Sequence, residues 1–279
     1  MLNRLSVQQM MIQNDYTDFN RITRILMTKN SDYRKRRDMI LSFIMEYYVA
    51  SGKAVSSGTL RQEYDLPYSP ATIRNVMAEL EEMGYITNLH TSSGRVPTQE
   101  GFRYYITFLM PRRGEYQEVL AEDTAWYQHQ LARARQMDEI MDASSKMISD
   151  ITHQAGLGFS DDNRDRIFIR GTHYMLEQPE FGDMSVLRDV FTALEEQASS
   201  FWTFFDEKID NDTSVFIGDE LSVVKTDSCA MVITPVTVGG VTRAMFGVLG
   251  PMRMNYSEVI LKLGVMKETV QDICRQRKL

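Results

Sequence analysis

The strongest constraint in this sequence is a helix start at Ser69-Pro70. A serine at the N-cap accepts a hydrogen bond from a free backbone N–H, and a proline at the first helical position loses no donor that the helix needs. Apolar residues then recur, without a miss, at the spacing that lines one helical face. They are Ile73, Val76, Met77 and Leu80. The pattern predicts an amphipathic helix that begins at Pro70 and is ended by Gly84.

The outer face of this helix is small and carries few charges. Ala71, Asn75 and Ala78 lie opposite the apolar stripe, and Arg74 lies on its flank. A small face lets a helix sit deep in the major groove of B-DNA, where side chains near the helix N-terminus read base edges. Asn75 suits an adenine edge, and Arg74 suits guanine or a phosphate.

The neighbouring elements have the order of a winged helix-turn-helix. Apolar spacing predicts a helix over residues 34–51 and a short helix near residues 57–63. After the third helix, residues 85–98 predict a β-hairpin with Arg95 at its tip, placed to enter the minor groove or to grip the backbone. The alternative interpretation of the same pattern is a solvated helix beside an ordinary hairpin.

The rest of the chain has a mixed α/β pattern. Pro111-Arg112-Arg113-Gly114 is a linker candidate, because Pro and Gly break helices. Residues 115–155 predict one long helix or two, closed by Gly156 and Gly158, and a Gly239-Gly240 pair predicts a hairpin turn. Further strands are predicted at 167–169, 214–217, 229–234 and 241–249, and further helices at 186–205 and 256–273. The fold class expected is therefore α+β.

The formal charge is distributed unevenly. The whole chain of 279 residues carries −7, whereas residues 34–113 carry 11 Lys/Arg against 8 Asp/Glu, and residues 114–279 carry 16 against 27. This distribution is compatible with residues 34–113 binding a polyanion while the acidic remainder of the chain is repelled by it.

Motifs of common enzyme and cofactor sites are missing from the sequence. There is no G-x-S-x-G, Walker A or G-x-G-x-x-G motif, and His129, His153 and His173 lack the spacing of a metal site. The two cysteines, Cys229 and Cys274, are too few for a disulfide framework. We therefore expect no enzyme activity, no cofactor and no metal.

The location follows from what the sequence lacks. No apolar stretch approaches the length of a membrane span, and the first ten residues do not have the pattern of a secretory signal. We expect a cytoplasmic protein that is not attached to a membrane.

Longer stretches of sequence resemble the HrcA family of heat-inducible transcription repressors. The N-terminal part matches in Ser69-Pro-Ala-Thr-Ile-Arg-Asn75, in Met77-Ala-Glu-Leu-Glu-Glu-Met-Gly-Tyr85, in His90-Thr-Ser-Ser-Gly-Arg-Val-Pro-Thr98 and in Gly101-Phe-Arg-Tyr-Tyr105. The C-terminal part matches in Gly171-Thr-His-Tyr-Met-Leu-Glu-Gln-Pro-Glu-Phe181 and in Gly250-Pro-Met-Arg-Met-Asn-Tyr256. The resemblance extends over about residues 36–155 and 167–275.

The resemblance implies a bacterial repressor of chaperone operons. Members of the family bind an inverted-repeat operator in double-stranded DNA as a homodimer, and they need the GroEL chaperonin to stay active. The implied fold is a winged helix followed by a long helix and a GAF-like domain that contains a dimerising insert. By motif match, the recognition helix carries Ser69, Ala71, Thr72, Arg74 and Asn75, and the wing carries His90, Ser92, Ser93 and Arg95.

This chain departs from the family pattern at three places. Gly58 stands where the family usually has a basic residue, and Pro67-Tyr68 replaces a glycine-containing turn. Only residues 157–166 separate the long helix from the strand at Ile167, where the family carries several tens of residues of the dimerising insert. This last departure bears on the dimer contact and on part of the GAF-like sheet.

Three domains and two alternative functions complete the expectation. The domains are an N-terminal arm at 1–33, a winged helix at 34–113 and a GAF-like regulatory and dimerisation domain at 114–279, with the insert truncated near 157–166. One alternative is a regulator whose GAF-like domain senses a small molecule. The other is a hydrolase or transferase in the C-terminal domain, against which the missing nucleophile–base pair argues.

Overall fold

The computed structural model describes most of the chain and divides into two compact units. It covers residues 33–88, 94–109, 120–196, 198–210, 212–224, 226 and 228–277. One unit ends at Gly101 and the other begins at Phe102. Each has a core of buried apolar side chains.

Within its described residues, the N-terminal unit has three helices followed by a β-hairpin. The helices are α1 (Tyr33–Ser51), α2 (Ser57–Glu63) and α3 (Pro70–Glu82). Strands β1 (Ile86–Asn88) and β2 (Arg95–Pro97) pair antiparallel. Each element lies where the sequence predicts it, since apolar spacing and N-cap chemistry are both local signals.

The apolar stripes of the three helices meet in one core. Ile40 and Ile44 of α1, Leu60 of α2, and Ile73 and Leu80 of α3 are completely buried. Fully burying an aliphatic side chain contributes about 1.5–3 kcal/mol relative to leaving it exposed. The core therefore fixes which side of each helix faces water.

The C-terminal unit combines helices with five strands in its described residues. The elements in chain order are α4 (Gln99–Tyr104, which begins in the N-terminal unit), a π-helical turn (Tyr105–Leu109), α5 (Leu120–Leu131), α6 (Met137–Thr152), β3 (Ala155–Ser160), β4 (Asn163–Arg170), α7 (His173–Leu176), α8 (Met184–Glu196), α9 (Ala198–Lys208), β5 (Ser214–Ile217), β6 (Cys229–Val238), β7 (Val241–Pro251) and α10 (Tyr256–Arg277). Short 3₁₀ turns lie at Pro179–Phe181 and Gly218–Glu220.

The five strands form one antiparallel sheet with the order β4-β3-β7-β6-β5. Helix α6 packs on β3 and β7, and α10 packs on β6. A large apolar cluster, which includes Leu157, Phe159, Val190, Phe201 and Phe205, lies between the other face of the sheet and helices α8 and α9. The fold is α+β, as the sequence predicts.

The sequence prediction was wrong at Gly156 and Gly158. It used these glycines to end a helix, whereas both lie inside strand β3. Helix α6 already ends at Thr152, and His153 caps it in a left-handed conformation, with φ of 52°. The predicted long helix is represented in the described residues by the two helices α5 and α6.

Close packing on α6 explains why β3 contains glycines. Successive side chains of a strand point to opposite faces of the sheet. Leu157 and Phe159 point into the apolar cluster, whereas Gly156 and Gly158 face α6. A Cβ atom on Gly156 would lie 1.9 Å from the backbone oxygen of Ser145, so α6 can reach the sheet only over a residue without a side chain.

The apolar stripe of α10 is buried within its own unit. Its residues are Tyr256, Val259, Leu263, Met266, Val270 and Ile273, and each is at most 7% exposed. Met137, Ile140 and Ile148 of α6 are buried as well. The structure therefore places the apolar stripes of both helices in the core of this unit.

Residues 157–166, where the sequence predicts a truncated insert, form a β-hairpin. Leu157 to Ser160 belong to β3, Asp161 and Asp162 form the turn, and β4 begins at Asn163. The sheet is therefore continuous through this span.

We predict that Gly156→Ala lowers the free energy of unfolding of the full chain. The added methyl group collides with the Ser145 carbonyl oxygen, and overpacking of this kind costs about 1–3 kcal/mol. Urea unfolding followed by circular dichroism measures the change. Gly58→Ala is the control, because the nearest atom to its added Cβ is Ser56 Oγ at 3.7 Å. Equal stability of the two variants would contradict the packing argument.

Candidate nucleic-acid interface

The start of α3 is built as the sequence predicts. Ser69 is the N-cap, and its Oγ accepts a hydrogen bond from the Thr72 backbone N–H at 3.1 Å. The two hydroxyl oxygens, Ser69 Oγ and Thr72 Oγ1, lie 2.9 Å apart. Both side chains are thus engaged in capping, and Pro70 occupies the first helical position.

The outer face of α3 is exposed. Ala71, Arg74, Asn75 and Ala78 are exposed, while Thr72 is half-buried. The opposite side of the helix, with Ile73, Val76, Met77 and Leu80, is buried. Of the five predicted recognition-helix residues, Ser69 is the N-cap and the other four lie in the first two turns of α3. Ala71, Arg74 and Asn75 face solvent.

The predicted wing residues fall partly outside the described residues. His90, Ser92 and Ser93 lie outside the described residues. Arg95 is described and is the first residue of β2, paired directly with Asn88 of β1. Its side chain is 20% exposed.

Sequence reasoning missed Glu81, which contacts the hairpin from the last turns of α3. Its Oε2 accepts from Arg95 Nε at 3.1 Å, and its Oε1 accepts from Asn88 Nδ2 at 2.5 Å. The helical pattern marks Glu81 only as a charge off the apolar stripe. The contact of Glu81 can be predicted only from the register of the hairpin, which sets Asn88 opposite Arg95.

Basic side chains at the start of α1 lie close to α3. The guanidinium carbon of Arg36 lies 4.8 Å from the centre of the Tyr68 ring, next to the N-cap Ser69. Arg37 approaches Glu79 of α3 at 3.8 Å. One acidic side chain of α3 is therefore partly neutralised by α1.

Gly58 lies exposed at the start of α2. The nearest atom to a Cβ built there is Ser56 Oγ at 3.7 Å, which is an ordinary contact. The backbone at this position leaves room for the basic residue that is usual in the family it resembles.

The motifs of the C-terminal half meet in space. Arg253 forms an ion pair with Glu180, and its Nη2 donates to Gln178 Oε1 at 2.9 Å. The Tyr256 ring, which is buried, lies 6.1 Å from that of Phe102. Burial raises the pKa of the Tyr256 hydroxyl, which donates to the Met252 carbonyl oxygen at 2.6 Å.

The described residues hold no group of three or more His, Cys, Asp or Glu side chains placed to bind a metal ion. Cys229 and Cys274 are buried free thiols. Burial is typical of a free cysteine that serves as a small apolar side chain. None of the described helices is both long and apolar enough to cross a membrane.

A family model described as the HrcA protein C terminal domain matches residues 117–260. The match spans more than half of the 279 residues. This chain belongs to the HrcA family. The resemblance noted from its motifs is thereby confirmed.

Curated relatives match over most of the chain. A heat-inducible transcription repressor HrcA of Symbiobacterium thermophilum is 24% identical over 340 residues, covering 86% of this chain and 98% of the relative. The protein of the same name from Chlorobium chlorochromatii is 27% identical over 336 residues, with coverages of 84% and 96%. Both alignments are longer than this chain, so these HrcA proteins carry residues without a counterpart here. The relatives are repressors and not enzymes, in agreement with the sequence prediction.

The fold is also similar to that of a solved structure. It is a crystal structure described only as that of a hypothetical protein, with a TM-score of 0.69 and 15% sequence identity. The likeness covers 89% of this HrcA-family chain and 99% of the other.

We predict that Glu46 of α1 makes stability depend on pH. Burial raises the pKa of its carboxyl from 4.5 to about 8, and its Oε1 has no hydrogen-bond partner among the described residues. Between these two values the folded state keeps a proton that the unfolded chain has lost, so the free energy of unfolding falls as pH rises, by at most about 1.4 kcal/mol per pH unit.

Urea titrations of the full chain at pH 5, 6.5 and 8 test this dependence. Glu46→Gln should flatten it, because the amide does not titrate. Glu63→Gln, at an exposed position of α2, should leave it as in the parent chain. A parent stability that does not fall across this window would show that Glu46 is ionised in the folded state.

Proposed function

We propose that this HrcA-family chain is a sequence-specific DNA-binding repressor of heat-shock chaperone operons. The exposed face formed by Ala71, Arg74, Asn75 and Ala78 carries the proposal. It is small, it lies at the N-terminal end of a helix whose other face is buried, and a hairpin follows the helix. These are the features by which a winged helix-turn-helix enters the major groove.

The proposed roles of the site residues follow from their chemistry. Asn75 pairs with an adenine edge, and Arg74 contacts guanine or a phosphate. Ala71 lets the helix come close to the base pairs. Ser69 and Thr72 cap the start of the helix, which faces the sugar–phosphate backbone of the DNA. His90, Ser92, Ser93 and Arg95 belong to the wing. The DNA-binding domain in this proposal is residues 34–113, preceded by an arm at 1–33.

Residues 114–279 form the proposed GAF-like regulatory and dimerisation domain, with a shortened insert. An inverted-repeat operator has two-fold symmetry, so two copies of the chain bind it with one helix in each half-site. Repression results from occlusion of the promoter. Such a protein acts in the cytoplasm, at the nucleoid. The name of the curated relatives supports this proposal.

A salt-titrated gel shift tests the proposal directly. The full chain is titrated with an inverted-repeat duplex taken from upstream of a chaperone operon, and with a scrambled duplex of equal length. We expect tighter binding to the inverted repeat, and we expect the logarithm of the binding constant to fall linearly with the logarithm of the salt concentration. Equal binding to both duplexes would remove sequence-specific repression from the account.

Arg74→Ala and Asn75→Ala should each reduce discrimination between the two duplexes. A lost bidentate base contact costs about 1–3 kcal/mol of discrimination against the wrong base. Lys146→Ala is the control, since Lys146 is an exposed cation of α6 in the other unit. An equal loss of affinity on both duplexes would reassign the residue to phosphate contact.

The proposal includes control by a GroEL-type chaperonin. Chaperonin helps to maintain the DNA-competent form, and heat-unfolded clients compete for it, which shifts the population away from that form. Adding chaperonin and ATP to the purified chain should increase operator occupancy in the gel shift, and adding an unfolded client should reverse the increase. Occupancy that stays constant with active chaperonin would exclude this mode of control.

A further inference from the structure

The carboxylate of Glu81 joins the recognition helix to both strands of the hairpin. Oε2 accepts from Arg95 Nε at 3.1 Å and lies 3.0 Å from Arg95 Nη2. Oε1 accepts from Asn88 Nδ2 at 2.5 Å. Asn88 and Arg95 are direct partners across the two strands, so one side chain of α3 binds the last residue of β1 and the first residue of β2, the pair that flanks the hairpin loop.

The backbone of Arg95 is held on a second side. Its N–H donates to the Val55 carbonyl oxygen at 2.9 Å, and its carbonyl oxygen accepts from the Val55 N–H at 2.9 Å. Val55 lies in the connection between α1 and α2. Both the main chain and the side chain of Arg95 are therefore fixed by elements outside the hairpin.

Fixing Arg95 in this way has a consequence for binding. An arginine side chain has about 2 kcal/mol of rotamer entropy, and a planar guanidinium held by a carboxylate has already lost much of it. The side chains of Arg95 and Glu81 are 20% and 30% exposed, so the pair is shielded in part from solvent and salt. The ordering of this strand pair is completed on folding and not at the moment of docking.

We propose that Glu81 is a positioning residue for operator recognition. It holds Arg95 and Asn88 against α3, so that helix and hairpin meet the duplex as one preformed surface. The inference rests on the proposed function. It assigns Glu81 a role in sequence discrimination although its negative charge, taken alone, opposes binding to a polyanion.

Glu81→Gln in the full chain is the test, measured on the inverted-repeat and scrambled duplexes at several salt concentrations. Gln keeps the shape of the side chain but removes the charge-assisted hydrogen bonds. We expect the ratio of the two affinities to fall by about tenfold, the size of one such bond. The midpoint of urea unfolding is measured in parallel, so that only folded protein is compared.

Glu82→Gln is the matched control. Glu82 is the next residue, is exposed, and carries the same charge at the same end of the helix. Its substitution removes one repulsive charge and should leave the affinity ratio unchanged. A double-mutant cycle adds Arg95→Gln: if the two residues act as a unit, Glu81→Gln should cause no further loss of discrimination in the Arg95→Gln background.

The outcomes separate the inference from the proposed function. A parent chain without operator preference overturns the function, whatever the variants do. If the parent discriminates and Glu81→Gln keeps its ratio, or raises both affinities as Glu82→Gln does, Glu81 acts only through its charge and the inference is wrong. A lower unfolding midpoint with an unchanged ratio assigns Glu81 to stability alone and also overturns it.

Discussion

Burial of one side of α3 decides what the N-terminal unit can present to a partner. Rotating the helix by a quarter turn would expose parts of Ile73, Val76, Met77 and Leu80, each buried at a gain of about 1.5–3 kcal/mol. No contact on the outer face approaches that sum, so Arg74 and Asn75 are directed outward by residues that never touch a ligand. The residues of the outer face do not pack in the core, so core packing does not restrict which side chains stand there. That face can therefore serve binding.

Charge is arranged asymmetrically along the same helix. Its last turns hold Glu79, Glu81 and Glu82 and no basic residue, although a helix C-terminus favours cations. Arginines from other elements offset part of this cost, since Arg37 approaches Glu79 and Arg95 binds Glu81. At the N-terminal end, Pro70 has no N–H and Ser69 caps the Thr72 N–H, so this end offers a ligand mainly the positive end of the helix dipole. In the proposed function, the difference in charge between the two ends of α3 directs its first turns toward the DNA phosphates and keeps its last turns away from them.

The C-terminal unit depends on its sheet, against which helices pack on both faces. The five strands are continuous, and the stripes of α6 and α10 are both buried against them. The residues that this chain carries therefore form a continuous sheet with a buried core on both of its faces. Arg253 with Glu180, and Tyr256 beside Phe102, tie the matching motifs to this core, so those motifs serve its packing at least in part.

How far the sequence predicts this structure depends on the range of the interactions. Helices α1 to α3, the hairpin and most strands follow from spacing, caps and turn residues within a few positions, and so do the exposed positions Arg74 and Asn75. Strand β3 does not, because Gly156 reads locally as a helix end and its real cause is the Ser145 carbonyl pressed against the sheet. Glu81 has the same difficulty: its partners lie 7 and 14 residues away, across a hairpin whose register had first to be known. A local pattern can state that a charged side chain avoids the core, but only the pairing of strands tells what that charge holds.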